Sequence, residues 1–150
     1  MKDITGSIFD FGKLRREGYL YIDKTEYIWN LIHPAGKSFF LSRPRRFGKS
    51  LTLSTLKAIF EGKKELFRGL AIYDKPYDWK TYPVTHLDMA NCDVHTESDL
   101  RDYLSHIVER LALQHNVKIN VKKNLLSSAF SDLIQEVAKQ VPGWVSSSSI

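Results

Sequence analysis

A wound α/β domain built on a parallel sheet is the fold class the sequence predicts. Three observations carry that expectation. A short apolar run at Ser38–Leu41 is followed by a loop and then by helical spacing from Lys49 onward. A second apolar run lies in "PVTHLDMA", residues 83–90. Two more stretches of helical periodicity come after it. Buried strand, helix, strand, helix is the order such a domain requires.

The elements follow in chain order. Tyr19–Ile22 reads as a short extended piece, and a helix begins after Asp23, whose carboxylate suits the orphan amides of a first turn. Tyr27, Ile28, Leu31 and Ile32 recur at helical spacing, and His33-Pro34-Ala35-Gly36 stops them. After the strand at Ser38–Leu41 and the loop Ser42–Gly48, Leu53, Leu56 and Phe60 share a helical face, with Ile59 beside them. Gly62 is placed to end that helix. "KELFRGLAIYDKPYDWKTYP" reads as a turn-rich connector. Val84, Leu87 and Met89 mark the second strand. Leu100, Tyr103, Leu104, Ile107, Val108 and Leu111 then form a helical stripe, and Thr96 with Asp99 approaches a capping box. A last helix is expected over residues 124–140.

The totals fit one domain: 150 residues, 43% apolar, 26% charged, formal net charge +5 and a pI near 9.3. Such a charge suits anionic partners. The single Cys92 excludes an internal disulfide and any multi-cysteine zinc site. A reducing cytoplasm is the expected compartment. No apolar run reaches membrane-spanning length, and "MKDITGSIFD" lacks the pattern of a signal peptide.

The loop holds the chemistry. A phosphate-binding loop is written G-x-x-x-x-G-K-[ST]. Gly48, Lys49 and Ser50 match its end, and Arg43 stands where its first glycine is expected. In such a loop the glycine lets the backbone approach phosphate closely. The lysine reaches the β- and γ-phosphates, and the hydroxyl ligates Mg²⁺. The helix that starts there adds the positive end of its dipole. Arg43, Arg45, Arg46 and Lys49 place four cations within seven residues. The competing reading is a basic solvated loop that happens to contain Gly-Lys-Ser.

"YIDKTEYIWNLI", "FFLSRPRRFGKSLTLSTLKAIFEGKKELFRGLAIYD" and "YPVTHLDMA" together resemble the bacterial AAA-ATPase-like family, over about residues 9–139. That family writes its Walker A loop R-P-R-R-F-G-K-S, with arginine at the first glycine position. The resemblance implies a P-loop NTPase of AAA-like type, a three-layer sandwich on a parallel sheet, incomplete here. It implies a nucleotide site formed by Arg43, Pro44, Arg45, Arg46, Phe47, Gly48, Lys49, Ser50 and Leu51, with ATP and Mg²⁺ as cofactors and Ser50 touching Mg²⁺ through the nucleotide. Asp23, Lys24 and Thr25 match the family's "DKT" element and are weaker nucleotide-contact candidates, with a plain helix cap as the alternative for Asp23. In longer members the ATPase part is followed by a region resembling PD-(D/E)xK nucleases, which brings nucleic acid into view as a partner of the full-length family.

Hydrolysis needs a Walker B strand, four apolar residues and then an acid that holds Mg²⁺. Asp88 follows an interrupted run and reads as a strand-end residue, so no catalytic residue is assigned and little or no hydrolysis is expected. Residues 1–140 read as the N-terminal part of the ATPase-like domain and 141–150, "VPGWVSSSSI", as an atypical tail. With TCN serine codons, the frame two bases on reads four apolar residues and then NAT, which can encode aspartate. A frameshifted tail is the expectation from that pattern. Two non-adjacent strands without the strands between them would leave unpaired edges and exposed apolar faces, and a marginally stable fragment.

The remaining candidates are bland. His33, His86, His95, His106 and His115 lack metal-ligand spacing and read as solvent or rim residues. Lys13, Arg15 and Arg16 read as a solvated basic face, with a nucleic-acid contact as the alternative. Lys63 and Lys64 read as a helix end, and Trp29, Trp79 and Trp144 as core or cover residues. Two functions remain open: a nucleotide-binding part of an ATPase, and a basic module that binds nucleic acid or protein without turning over nucleotide.

Overall fold

The computed structural model describes residues 3, 6–33, 40–42, 44, 47–89, 92–121 and 126–141. It divides into two compact units, Met1–Tyr82 and Pro83–Ile150.

In the first unit, α1 (Phe11–Arg16) starts at Asp10, whose carboxylate accepts the Lys13 amide at 2.6 Å. The sequence signal for α1 was this aspartate with Phe11 and Leu14 three apart, a pattern too short to register as periodicity. Helix α2 (Thr25–Ile32) turns Ile28 and Trp29 inward. Helix α3 (Lys49–Phe60) buries Thr55, Ala58 and Ile59. Its end is a Schellman arrangement: Gly62 N–H donates to the Ile59 carbonyl at 3.0 Å and Lys63 N–H to Ala58 at 3.1 Å. Gly62 has φ +69°, and a Cβ there would stand 2.6 Å from the Trp79 carbonyl oxygen, so only glycine fits. Two 3-10 helices, Lys64–Phe67 and Ala71–Asp74, make up the ordered part of the connector. Lys64 therefore opens a short helix, where the sequence reading had it close one.

Phe11, Ile59, Phe67 and Ile72 are fully buried and form the centre of this unit. Phe11 stacks on Phe67 at 4.7 Å and meets Tyr21 edge-on at 5.1 Å. Trp29 and Trp79 pack into the same cluster, as core and cover residues. Trp79 holds a left-handed backbone, φ 51°, and burial pushes the neighbouring Tyr77 phenol up to about 12.

The second unit is a helical hairpin of α4 (Glu97–Gln114) and α5 (Leu126–Ala138). The capping box at its start is complete. Asp99 N–H donates to Thr96 Oγ1 at 3.1 Å, and Thr96 N–H donates to Asp99 Oδ2 at 2.9 Å. Ile107, Val108, Leu111 and Ala112 of α4 meet Ala129, Leu133 and Val137 of α5. Val117, Ile119 and Val121 pack against them while Lys118 and Asn120 face out, a period of two.

The expected sheet is absent. Among the described residues no strand forms, so the parallel-sheet P-loop sandwich expected from the sequence is corrected to a helical structure. The physical reason is that a strand exists only by exchanging N–H and C=O bonds with a neighbour. Residues 40–42 and 83–89 carry the apolar pattern but find no pairing partner among the described residues. Their apolar side chains stay outside: Phe40 is 93% exposed, and Leu41, Leu87 and Met89 are exposed as well. Ser38, Phe39 and Ala90 of the two expected strands lie outside the described residues, as do Asn124, Trp144 and the tail from 142 onward.

Candidate functional site at the start of helix α3

Helix α3 begins at a glycine in the left-handed region. Gly48 has φ 77° and ψ 20°, and among the described residues, chain neighbours aside, no atom lies within 4 Å of where its Cβ would be. A side chain here would strain the backbone. The Gly48 carbonyl accepts both the Thr52 amide and the Thr52 hydroxyl at 2.9 Å. Gly48, the N-cap of α3, has no side chain with which to cap the first turn, and no acid stands in that turn. Lys49 is its first residue, a cation at the positive end of the helix, which works against helix stability. An anion at this place would reverse that sign and take up the orphan amides.

The rear of the helix is fixed. Thr55 is fully buried and donates its hydroxyl to the Leu51 carbonyl at 2.8 Å. Leu51 packs against the core cluster, whereas Lys49 and Ser50 are exposed. Pro44 is exposed, and Phe47 is 65% exposed beside the glycine. Arg43, Arg45 and Arg46 lie outside the described residues.

The Asp23-Lys24-Thr25 element has a clear mechanical occupation. Asp23 Oδ1 accepts the Thr25 amide at 2.8 Å and its hydroxyl at 2.7 Å. Asp23 Oδ2 accepts the Ala71 amide at 2.7 Å, and Thr25 Oγ1 accepts the Ile72 amide at 3.1 Å. Asp23 thus serves the start of α2 from one residue before the N-cap, Lys24, and ties it to the second 3-10 helix. Thr25 is fully buried, and Lys24 is exposed. Partial burial alone would raise the Asp23 carboxyl. The amide bonds from Ala71 and Thr25, the Thr25 hydroxyl and the Arg15 charge outweigh it, so the group titrates below its ordinary value. Tyr21, two residues earlier, meets the Thr55 hydroxyl on α3, and its phenol is raised by burial.

The basic run of α1 also divides by role. Arg15 is half-buried, donating from Nε to the Leu66 carbonyl at 2.8 Å and from Nη2 to the Arg68 carbonyl at 2.7 Å. It closes the end of the first 3-10 helix, a role the sequence reading missed because the acceptors are backbone groups fifty residues away. Lys13 and Arg16 stay exposed.

Asp88 lies in the segment 83–89, which forms neither helix nor strand, and its carbonyl accepts the Tyr103 hydroxyl at 3.1 Å. His33, His86, His95 and His106 are exposed; His115 is half-buried at the end of α4. Among the described residues no group of His, Cys, Asp and Glu is placed to hold a metal ion, and no helix is long and apolar enough to cross a membrane. Ser50 offers one hard oxygen donor at the open turn, which fits an Mg²⁺ ion carried by phosphates.

A family model described as AAA-ATPase-like, "Predicted AAA-ATPase", matches residues 6–145. An uncharacterized protein from the vnfD 5′ region of Azotobacter chroococcum mcd 1 is 38% identical over 109 residues. The aligned part is 71% of this chain and 21% of that protein, so the chain spans about a fifth of the length of the curated relative it matches. No solved structure matches.

Proposed function

The chain belongs to the AAA-ATPase-like family, and from that premise we propose that the Gly48–Ser50 turn binds the phosphates of ATP-Mg²⁺. The observation that carries this reading is the first turn of α3, opened by a left-handed glycine that has no side chain to cap it and bearing Lys49 at its first position. Backbone amides 49–51 receive phosphate oxygens, Lys49 neutralises the β- and γ-phosphates, and Ser50 takes a place on the Mg²⁺ ion. Arg43, Arg45 and Arg46 add charge from the loop. Leu51 and Thr55 hold the helix from behind, so the turn is presented ready-formed. Hydrolysis is outside the proposal, because no acid is assigned to hold Mg²⁺ and orient an attacking water.

A second reading rests on charge. Residues 1–82 carry sixteen Lys and Arg against nine Asp and Glu, so a nucleic-acid backbone is a chemically suitable occupant of the same turn. Calorimetric titration separates the two. ATP binding that requires Mg²⁺ and weakens roughly tenfold or more in Lys49→Met, about 1.4 kcal/mol, supports the nucleotide reading. Mg²⁺-independent binding to DNA or RNA that falls steeply with salt, with ATP binding indifferent to Lys49→Met, overturns it.

A further inference from the structure

A second group of cations lines a cavity of about 100 Å³ between α1 and α3. Arg16, Lys57 and Lys63 contribute to its wall, with the Ser54 hydroxyl and the carboxylates of Asp10 and Glu61. On α3 the lining begins at Ser54, one turn below Ser50, and runs to Glu61, so the cavity has its own walls.

Both acids are already engaged. Asp10 Oδ1 accepts the Lys13 amide at 2.6 Å, and its Oδ2 faces Ser54 Oγ at 3.4 Å. Glu61 pairs with Lys63 at 2.6 Å and with Lys57 at 3.8 Å. The Arg16 guanidinium makes no ion pair with a described residue, while its neighbours Lys13 and Lys57 each do. Its position explains an otherwise costly glycine. Gly12 is buried within α1, where alanine is the better helix former, and it does not use a positive φ. A Cβ on Gly12 would stand 3.0 Å from Arg16 Nη1 and 3.3 Å from Asp10 Oδ1. The missing methyl makes room for the guanidinium to lie back along its own helix, at the cavity.

We propose that this cavity binds a single phosphoryl group, as free phosphate or as the head of a small phosphate ester. Arg16 supplies a planar fork matched to two oxygens, and Lys57 and Lys63 supply charge. The cavity has room for a phosphoryl group. An adjoining hollow of about 460 Å³ shares Arg16, Lys63 and Leu66 with the cavity and adds Lys64, which suits the organic part of an ester. Glu61 sets the affinity. It neutralises two lysines in the empty site, and an incoming anion competes with it.

Calorimetric titration of the whole chain with inorganic phosphate, and separately with glycerol 3-phosphate, tests the proposal. Millimolar binding is expected. Read in a Lys49→Met background, so that the nucleotide turn adds no phosphate binding of its own, it falls about tenfold in Arg16→Met and rises several-fold in Glu61→Gln. Tighter binding of the ester supports use of the hollow, and equal binding supports free phosphate as the ligand. Binding that in this background is absent at tens of millimolar, that ignores Arg16, or that weakens in Glu61→Gln overturns it. Because Glu61→Gln is read as a gain, a folding defect in Arg16→Met leaves the test decisive. The Lys49→Met background also keeps this outcome separate from that of the nucleotide turn.

Discussion

The two units are held together by different physics. In Met1–Tyr82 polar side chains reach across long stretches of sequence to bind backbone groups: Arg15 to Leu66 and Arg68, Asp23 to Ala71, Thr25 to Ile72, and Ser54 to the Phe11 amide. In Pro83–Ile150 the hairpin rests on an apolar seam of α4 and α5, with two long-range polar ties among the described residues, Gln140 to the His115 carbonyl at 2.9 Å and Tyr103 to the Asp88 carbonyl at 3.1 Å. The charge divides the same way. The first unit is strongly basic, whereas the second has six Lys and Arg against eight Asp and Glu. Irregular backbone needs specific polar partners, and a helical pair does not. The unit with the candidate site is therefore the one that depends on individual polar side chains.

The comparison is broken most severely at the two cores. Phe67→Ala in the first unit and Leu133→Ala in the second are each expected to cost about 3–5 kcal/mol, since both side chains are fully buried. Hydrogen exchange read segment by segment checks this. Phe67→Ala should deprotect α1 and α3, and Leu133→Ala should deprotect α4. Next is the clamp. Thr25→Val keeps the shape and removes the hydroxyl that accepts the Ile72 amide, for a loss of about 1–3 kcal/mol in urea unfolding. Thr25→Ser should recover most of it. In the second unit the corresponding polar loss is smaller. Thr96→Ala removes a solvent-facing capping box and should cost about 1 kcal/mol.

The smallest effect is one of pH. The folded Asp23 carboxyl titrates below its ordinary value of 3.8. Its contribution is therefore fully present above that pH and is lost as pH falls through the folded value. The stability gap between the wild type and Asp23→Asn should narrow on acidification below about pH 4. A gap that widens there would contradict the clamp.

Helices were legible in the sequence where apolar spacing ran over more than two turns; the short α1 was not, although Asp10 caps it. The capping box at Thr96, the glycine stop at Gly62 and the stripe through Leu111 all stand in the structure. What failed was the sheet. An apolar run such as "FFL" states that a segment wants burial, yet pairing depends on a neighbour that the run does not name. Residues 83–89 have the pattern without the partner. At the candidate site, Gly48 was legible because it opens Gly-Lys-Ser. Asp23 was legible as a residue serving the first turn of α2, but its reach to Ala71 and the carbonyl grip of Arg15 were not, because a side chain that binds distant backbone leaves no pattern in its own neighbourhood. Ser54, which joins α3 to α1, was hidden for the same reason.

Backbone amide shifts measured during titration of the chain with ATP-Mg²⁺ test the central claim most directly. The account predicts saturable perturbation at Gly48, Lys49, Ser50 and Leu51, lost in Lys49→Met, with the Asp23–Thr25 amides largely unmoved. Silent amides at 48–51, or a response centred on Asp23–Thr25, would contradict it.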